Sequence, residues 1–185
     1  MSDRTSALGA AFKPGLYGDR RNGEGVTLSE EFFDFTAEIA AFPGKEEAVS
    51  KLISKAGARI DGSMSFQVAQ YRWLAAGTLK FRAALENGID ENQGSFIDLT
   101  HGRSAMSVSG PKAEWVLSKL FAVNFREAAF PAGTGLATMH HDIFAQIYRS
   151  GAQCFDIFVY RSFARSFWHA LCRAAEEVGY EVARG

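Results

Sequence analysis

The spacing of apolar and polar positions changes several times along the chain, and each change predicts an element. Phe32-Phe-Asp-Phe-Thr-Ala-Glu-Ile39 has the aromatic and β-branched content of a strand, stopped by Pro43-Gly44. Over residues 45–56, Ala48, Val49, Leu52, Ile53 and Ala56 recur at helical spacing. Glu46 and Glu47 sit in the first turn, where the helix dipole favours them, and Gly57 ends the helix. Residues 59–69 place Ile60, Met64, Phe66 and Val68 on one side, as a half-buried strand does, and 71–75 can pair as a short strand after it. Gly77-Thr78 opens a helix over 79–87, which closes at Asn87-Gly88.

The second half follows the same order. Residues 94–109 read as extended, with Met106 and Val108 on one face. Ser109-Gly110-Pro111 reads as a helix start, since Ser or Gly caps and Pro at the first helical position gives up no needed N–H. The helix runs to Phe121 with Ala113, Val116, Leu117, Leu120 and Phe121 on one face. After Phe130-Pro-Ala-Gly133, residues 134–149 read as one long strand, and Ser150-Gly151 turns into Cys154-Phe-Asp-Ile-Phe-Val-Tyr160. Ser162 is placed to cap a last helix over 163–178, whose stripe is Phe163, Phe167, Ala170, Leu171, Ala174 and Val178.

Each half thus reads strand, helix, strand, strand, helix, about 30–88 and 94–180, with a seam near 89–93. The repeat is one of arrangement, not of residues. Two such units most simply make antiparallel sheets with helices on one face, an α+β architecture forming a single domain over 28–185. Residues 1–27, rich in Gly, Arg and Asn, read as an extended arm, poorly ordered alone and open to ordering by a partner.

Composition narrows the function classes. The 185 residues are 47% hydrophobic and 22% charged, enough apolar content to fill a core. A formal net charge of -1 supplies no basic surplus for nucleic acid. Sixteen Phe hint at aromatic surface between chains. No apolar run approaches a membrane span, so a cytoplasmic protein is the expectation. Cys154 and Cys172 lack a CxxC pattern and read as two buried thiols in a reducing compartment.

Candidate chemistry gathers in Phe96-Ile-Asp-Leu-Thr-His-Gly-Arg103. There, Asp98 and Thr100 alternate to one strand face and His101 to the other, while Gly102 permits a bulge or positive φ. His101 and Arg103 can hold an anion or a ligand's carboxylate. Alternatively Asp98 and Arg103 brace a bulge, the favoured reading because no nucleophile accompanies them. Arg161 and Ser162 are a second candidate, either for an anion or a partner's carboxylate at a helix start, or for a simple cap worth about 1 kcal/mol. His140 and His141, adjacent on a strand, point to opposite faces and read as one buried and one solvated residue rather than a metal pair. No phosphate loop or nucleophile elbow is present.

Several motifs together resemble a known family. They are Asp98-Leu-Thr-His-Gly-Arg103, Ser109-Gly-Pro-Lys-Ala113, Ala129-Phe-Pro-Ala-Gly133 with Thr138, Phe155-Asp-Ile-Phe-Val159, Arg161-Ser-Phe-Ala164 and Phe167-Trp-His169. In order and spacing they resemble the gamma subunit of heterotetrameric sarcosine oxidase, densely over 94–178 and weakly over 30–90; Gly25-Val-Thr-Leu28 resembles that family's N-terminal segment. The resemblance implies a minimal form of the folate-binding fold of glycine-cleavage T-proteins. It implies a non-catalytic chain assembled with alpha, beta and delta subunits in an enzyme that oxidatively demethylates sarcosine to glycine. FAD, FMN, NAD and tetrahydrofolate are then expected in the large subunits and zinc in the smallest, with no cofactor in this chain. Asp98, His101, Arg103, Gly110, Arg161 and Ser162 carry the family signature, without a catalytic residue among them. Asn124, where the family often has Asp, and Gln70-Tyr-Arg-Trp-Leu74, which lacks its Gly-Pro turn, leave room for a related N-methyl amino acid oxidase or dehydrogenase. Two other readings are a stand-alone folate-binding T-protein-like protein and a small metal protein using His140 and His141.

Overall fold

The computed structural model describes residues 5–19, 21, 23 and 25–183. In chain order they form β1 (Gly15–Tyr17), β2 (Val26–Glu31), β3 (Phe35–Ala41), α1 (Glu46–Gly57), β4 (Met64–Ala69), β5 (Arg72–Gly77), α2 (Leu79–Gly88), β6 (Gly94–Asp98) and β7 (Arg103–Ser109). Then follow α3 (Ala113–Leu120), β8 (Gly135–His140), β9 (Ile143–Gly151), β10 (Cys154–Tyr160), α4 (Ala164–Ala175) and β11 (Tyr180–Val182). These divide into two units, Phe33–Arg103 and Met1–Phe32 with Ser104–Gly185.

The Phe33–Arg103 unit is a four-stranded antiparallel sheet in the order β4-β5-β3-β6. The strand period puts Phe35, Ala37 and Ile39 of β3 on one face, where they meet Val49 and Ile53 of α1 and Phe81 and Leu85 of α2. All of these are essentially inaccessible to water, and each large side chain contributes roughly 1.5–3 kcal/mol by burial. Thr78 caps α2 as its residue type suggests, its Oγ1 accepting from the Phe81 N–H at 3.4 Å.

The other unit is a seven-stranded sheet in the order β1-β11-β2-β7-β10-β9-β8. Within it β11 pairs with β2 in parallel. Val116 and Leu117 of α3 and Phe167, Trp168 and Leu171 of α4 bury against Leu28, Val108, Ile147, Phe155, Ile157 and Val159. The connection from Phe121 to Thr134 has little regular structure and is fastened by Arg149, whose side chain is almost wholly buried. Its Nη1 donates to the carbonyls of Phe125 (2.6 Å) and Phe130 (3.2 Å), its Nε to Gly151 (3.2 Å), and its Nη2 to Glu114 (3.0 Å) and the Ala152 carbonyl. The guanidinium also lies 5.0 Å from the ring centre of Phe155, a favourable cation–π distance.

Long-range pairing overrides several local expectations. Residues 94–109 are not one strand. The chain turns at Leu99–Gly102, with Gly102 N–H donating to the Leu99 carbonyl at 2.8 Å, and β6 and β7 enter different sheets. The unit boundaries therefore fall at 32/33 and 103/104, whereas 89–93 is a helix-to-strand loop inside one unit. Residues 134–149 are a hairpin, β8 with β9, turning at His141 and Asp142. Likewise, 59–63 is a turn in which Ser63 Oγ donates to the Ile60 carbonyl at 2.6 Å, so β4 starts at Met64.

The helix starts move too. Ser109 stays in β7, and Gly110 takes φ 120° where an added Cβ would lie 2.8 Å from the Gly25 carbonyl, so glycine is required. The Gly110 and Lys112 N–H groups donate to Gln153 and Gly25, and α3 begins only at Ala113, without a side-chain cap. Ser162 caps nothing: it lies within a 3-10 turn, Arg161–Phe163, and α4 starts at Ala164 behind an uncapped Phe163. A second 3-10 turn, Glu176–Val178, takes over the last residues expected of that helix.

The N-terminal segment is ordered by its own chain. Leu8 is fully buried in the α3/α4 core, the Phe12 ring lies 5.7 Å from Trp168, and β1 pairs with β11. Residues 1–4, the start of the expected arm, lie outside the described residues.

Candidate functional site

The residues singled out in the sequence fall into three places, one in the Phe33–Arg103 unit and two in the other. In Phe33–Arg103, Asp98 ends the edge strand β6 opposite Ala37. Its Oδ2 accepts from Arg82 Nη1 at 2.7 Å and its Oδ1 from the Thr100 N–H at 2.8 Å. Burial pushes this carboxyl up, but the Thr100 hydrogen bonds and the Arg82 guanidinium outweigh it and hold the group below its ordinary value. Thr100 is buried and continues the β3 ladder with its side chain, its Oγ1 accepting from the Thr36 N–H at 3.1 Å. His101 is exposed, and Arg103 is buried, 4% exposed. A brace is therefore present, with Arg82 of α2 as a cation that meets Asp98. Sequence spacing alone missed Arg82, because helix-to-strand proximity is a property of the fold. What this arrangement does chemically is hold a strand end; its charges are spent on each other.

In the other unit, Arg161 and Ser162 line a cavity of about 330 Å3 with Ser6, Ala7 and Arg165. Arg161 Nη2 donates to the Thr5 carbonyl at 2.6 Å, and Arg165 Nε to the Ala7 carbonyl at 3.3 Å. Across the same segment Ser6 Oγ donates to Glu30 Oε2 at 2.5 Å and the Ala7 N–H to Glu30 Oε1 at 3.0 Å. Both guanidiniums thus meet neutral carbonyls, and among the described residues no salt bridge pairs either with a carboxylate.

A second cavity in this unit, about 560 Å3, is lined by Lys119, His140, His141, His169 and Arg173 among others. His140 ends β8 and its Nδ1 lies 2.9 Å from the Leu120 carbonyl at the end of α3. His141 does not continue the strand. It takes φ 50° in the hairpin turn, and this brings its ring 4.5 Å from that of His140. Strand alternation, which would separate the two rings, does not apply across a left-handed turn residue. Among the described residues no third His, Cys, Asp or Glu completes a metal site with them. Lys119 pairs with Glu177 at 3.0 Å, donates to the Ala174 carbonyl at 3.1 Å and lies 3.7 Å over the Trp115 ring.

The two cysteines are free, and both are half-buried. Burial pushes the Cys172 thiol up to about 11, against a hydrogen bond from Tyr180 that lowers it.

No model of a known protein family and no curated protein matches the sequence. Among solved structures, the chain is similar to a chain of the heterotetrameric sarcosine oxidase from Corynebacterium sp. U-96, in complex with pyrrole 2-carboxylate. The TM-score is 0.73 at 22% identity, covering 93% of this chain and 94% of that one. It is also similar to aminomethyltransferase T of the glycine cleavage system from Bartonella henselae, with a TM-score of 0.55 and 20% identity over 83% of this chain and 48% of that one. At these identities the likeness is one of fold. The chain shares the fold of a sarcosine oxidase chain from end to end, and spans about half the length of the aminomethyltransferase. Among the described residues no helix is long and apolar enough to cross a membrane.

Proposed function

We propose that this chain is the gamma-type, non-catalytic subunit of a heterotetrameric sarcosine oxidase, working in the cytoplasm. The observation that supports it is the mutual coverage of 93% and 94% with one chain of such an oxidase, so that a whole chain corresponds to a whole chain. The order of the motifs from Asp98 to His169 supports the same reading. In this proposal the chain serves assembly with alpha, beta and delta partners. FAD, FMN, NAD, tetrahydrofolate and zinc belong to those partners, and the reaction is oxidative demethylation of sarcosine to glycine. The identity of the amine is the finer part of the proposal, with other N-methyl amino acids as alternatives.

Co-expression of this chain with two flavoenzyme-sized chains and a small zinc-binding chain encoded beside it tests the proposal. It should give one co-purifying complex that releases hydrogen peroxide with sarcosine. Failure of this chain to associate would end it. Peroxide with N-methylglutamate but not with sarcosine would keep the subunit role and change the substrate. The fold shared with an aminomethyltransferase supports a second reading, a stand-alone folate binder. Saturable binding of tetrahydrofolate by the isolated chain would favour it.

A further inference from the structure

Arg161, Arg165, His169 and Arg173 recur every fourth residue through the 3-10 turn and along α4. Residues four apart on a helix are surface neighbours, about 5–6 Å between Cβ atoms, so these four side chains form one ridge. Arg165, His169 and Arg173 are exposed and Arg161 is half-buried. The opposite face of the same helix, with Phe167, Trp168 and Leu171, fills the core, so the ridge has a fixed aim outward. It runs past the two cavities described above: Arg161 and Arg165 line one, and His169 and Arg173 line the other beside Lys119 and Glu177.

Three features describe this ridge. Residues 161–175 contain no Asp or Glu, in a chain whose net charge is -1; the row ends at Glu177, which lines the second cavity and is paired with Lys119. Among the described residues no salt bridge pairs a carboxylate with any of the four. The cations also begin at the amino end of α4, where the first turn has no acidic residue and the helix dipole disfavours positive charge. Arg173 sits in the last turn, where the dipole favours a cation, but helix stability does not explain Arg161 and Arg165, and a negatively charged partner does.

We propose that this ridge docks an acidic polypeptide segment of a partner subunit, with carboxylates on alternate residues of an extended stretch. Alternate residues of a strand lie about 6.6–6.8 Å apart, close to the spacing of the ridge, so successive carboxylates can meet the arginines and the His169 ring. Arg161 and Arg165 can each engage a carboxylate while still holding a main-chain carbonyl, since a guanidinium has five donors. That the occupant is a partner subunit rests on the proposed assembly; the preference for acidic peptide does not.

The test uses the full chain and a fluorescein-labelled peptide of alternating Glu and Ser, followed by anisotropy. Saturable binding is expected, weaker at about 200 mM salt than at about 50 mM because exposed charges are screened. The variant Arg165→Glu/Arg173→Glu should weaken it by roughly tenfold or more, and Arg165→Gln/Arg173→Gln by less. Lys112→Glu/Arg126→Glu, with the same net charge as the first variant, should leave binding unchanged. Circular dichroism of each variant checks that the fold is intact. Absence of saturable binding, or equal loss in the Lys112/Arg126 control, overturns the proposal, as does tighter binding of a single-stranded oligonucleotide of equal charge. The two readings separate cleanly. A chain that assembles with oxidase subunits but ignores the peptide loses the ridge and keeps its subunit role. One that binds the peptide but never assembles keeps the ridge and loses that role.

Discussion

Replacing Arg149 by Met tests whether one buried cation organises the connection between α3 and β8. Met is close in length and apolar, so it fills most of the space while removing every donor. Two carbonyls then lose partners in a protected place, those of Phe125 and Phe130, residues only 3% and 4% exposed. An orphaned buried acceptor costs about 1–3 kcal/mol, so the pair costs roughly 2–6. The carbonyl of Ala152 belongs to an exposed residue, and Glu114 is 39% exposed, so water replaces the donor at both. Losing the cation–π contact with Phe155 adds about 1 kcal/mol, and relief from burying a charge subtracts an amount of similar order. The net expectation is a loss of about 3 kcal/mol, a large share of the roughly 5–15 kcal/mol typical of a folded domain.

Urea unfolding followed by tryptophan fluorescence measures it. Trp115 and Trp168 lie in the same unit as Arg149 and Trp73 in the other, so a Trp73→Phe background makes the signal specific. Glu114→Gln should cost less than about 1 kcal/mol, because an ion pair open to water is weak. Arg149→Lys should fall between, since an ammonium cannot reach all the carbonyls at once. If Arg149→Met costs under 1 kcal/mol, the carbonyl reasoning is wrong. If Glu114→Gln costs as much as Arg149→Met, the ion pair and not the carbonyl set carries the stability.

Three further outcomes are expected. Thr100→Val removes the acceptor of the buried Thr36 N–H and should cost about 1–3 kcal/mol in urea unfolding, whereas Asp98→Asn, at a more exposed site, should cost less. Burial and the nearby Glu31 raise Asp156 to about 6, against a Ser150 hydrogen bond that lowers it. Because the folded protein holds this proton more tightly, the contribution of Asp156 is fully present below about pH 4 and is lost as pH rises through 6, on the order of 3 kcal/mol. Stability measured from pH 4 to 7 should carry that downward component, and Asp156→Asn should abolish it; an unchanged profile would contradict the assignment. Finally, with its thiol pushed up to about 11, Cys172 should react with iodoacetamide at pH 8 far more slowly than a free thiol, read by mass spectrometry of the labelled peptide.

Local periodicity made α1, α2 and the core stripes of α3 and α4 legible, because helix contacts repeat within a few residues and the apolar face must point inward. The sheets were less legible, since strand partners are distant in the chain. The break at His101-Gly102 was visible, but nothing local says that β6 and β7 on either side of it join different sheets. The hairpin at His141-Asp142 lacked the Asn-Gly or Asp-Gly signal of a tight turn, because a histidine adopts the left-handed conformation there. Arg149 had a signal that went unused: Ile143, Ala145, Ile147 and Arg149 alternate on the inward face of β9, and a cation in such a series needs buried partners.

The cationic ridge was equally written in the sequence. The reading of α4 followed its apolar stripe, in which Phe163 proves exposed, yet the period that aligns Phe167 and Leu171 inward also aligns Arg165, His169 and Arg173 outward. Asp98, His101 and Arg103 drew attention because unlike charges crowd a short stretch, but Asp98 is already satisfied by Arg82, which the fold brings from α2. A row of like charges held on a rigid helix has no such internal solution. It keeps its charge available, and for a chain proposed to act through assembly it is the better guide to where a partner sits.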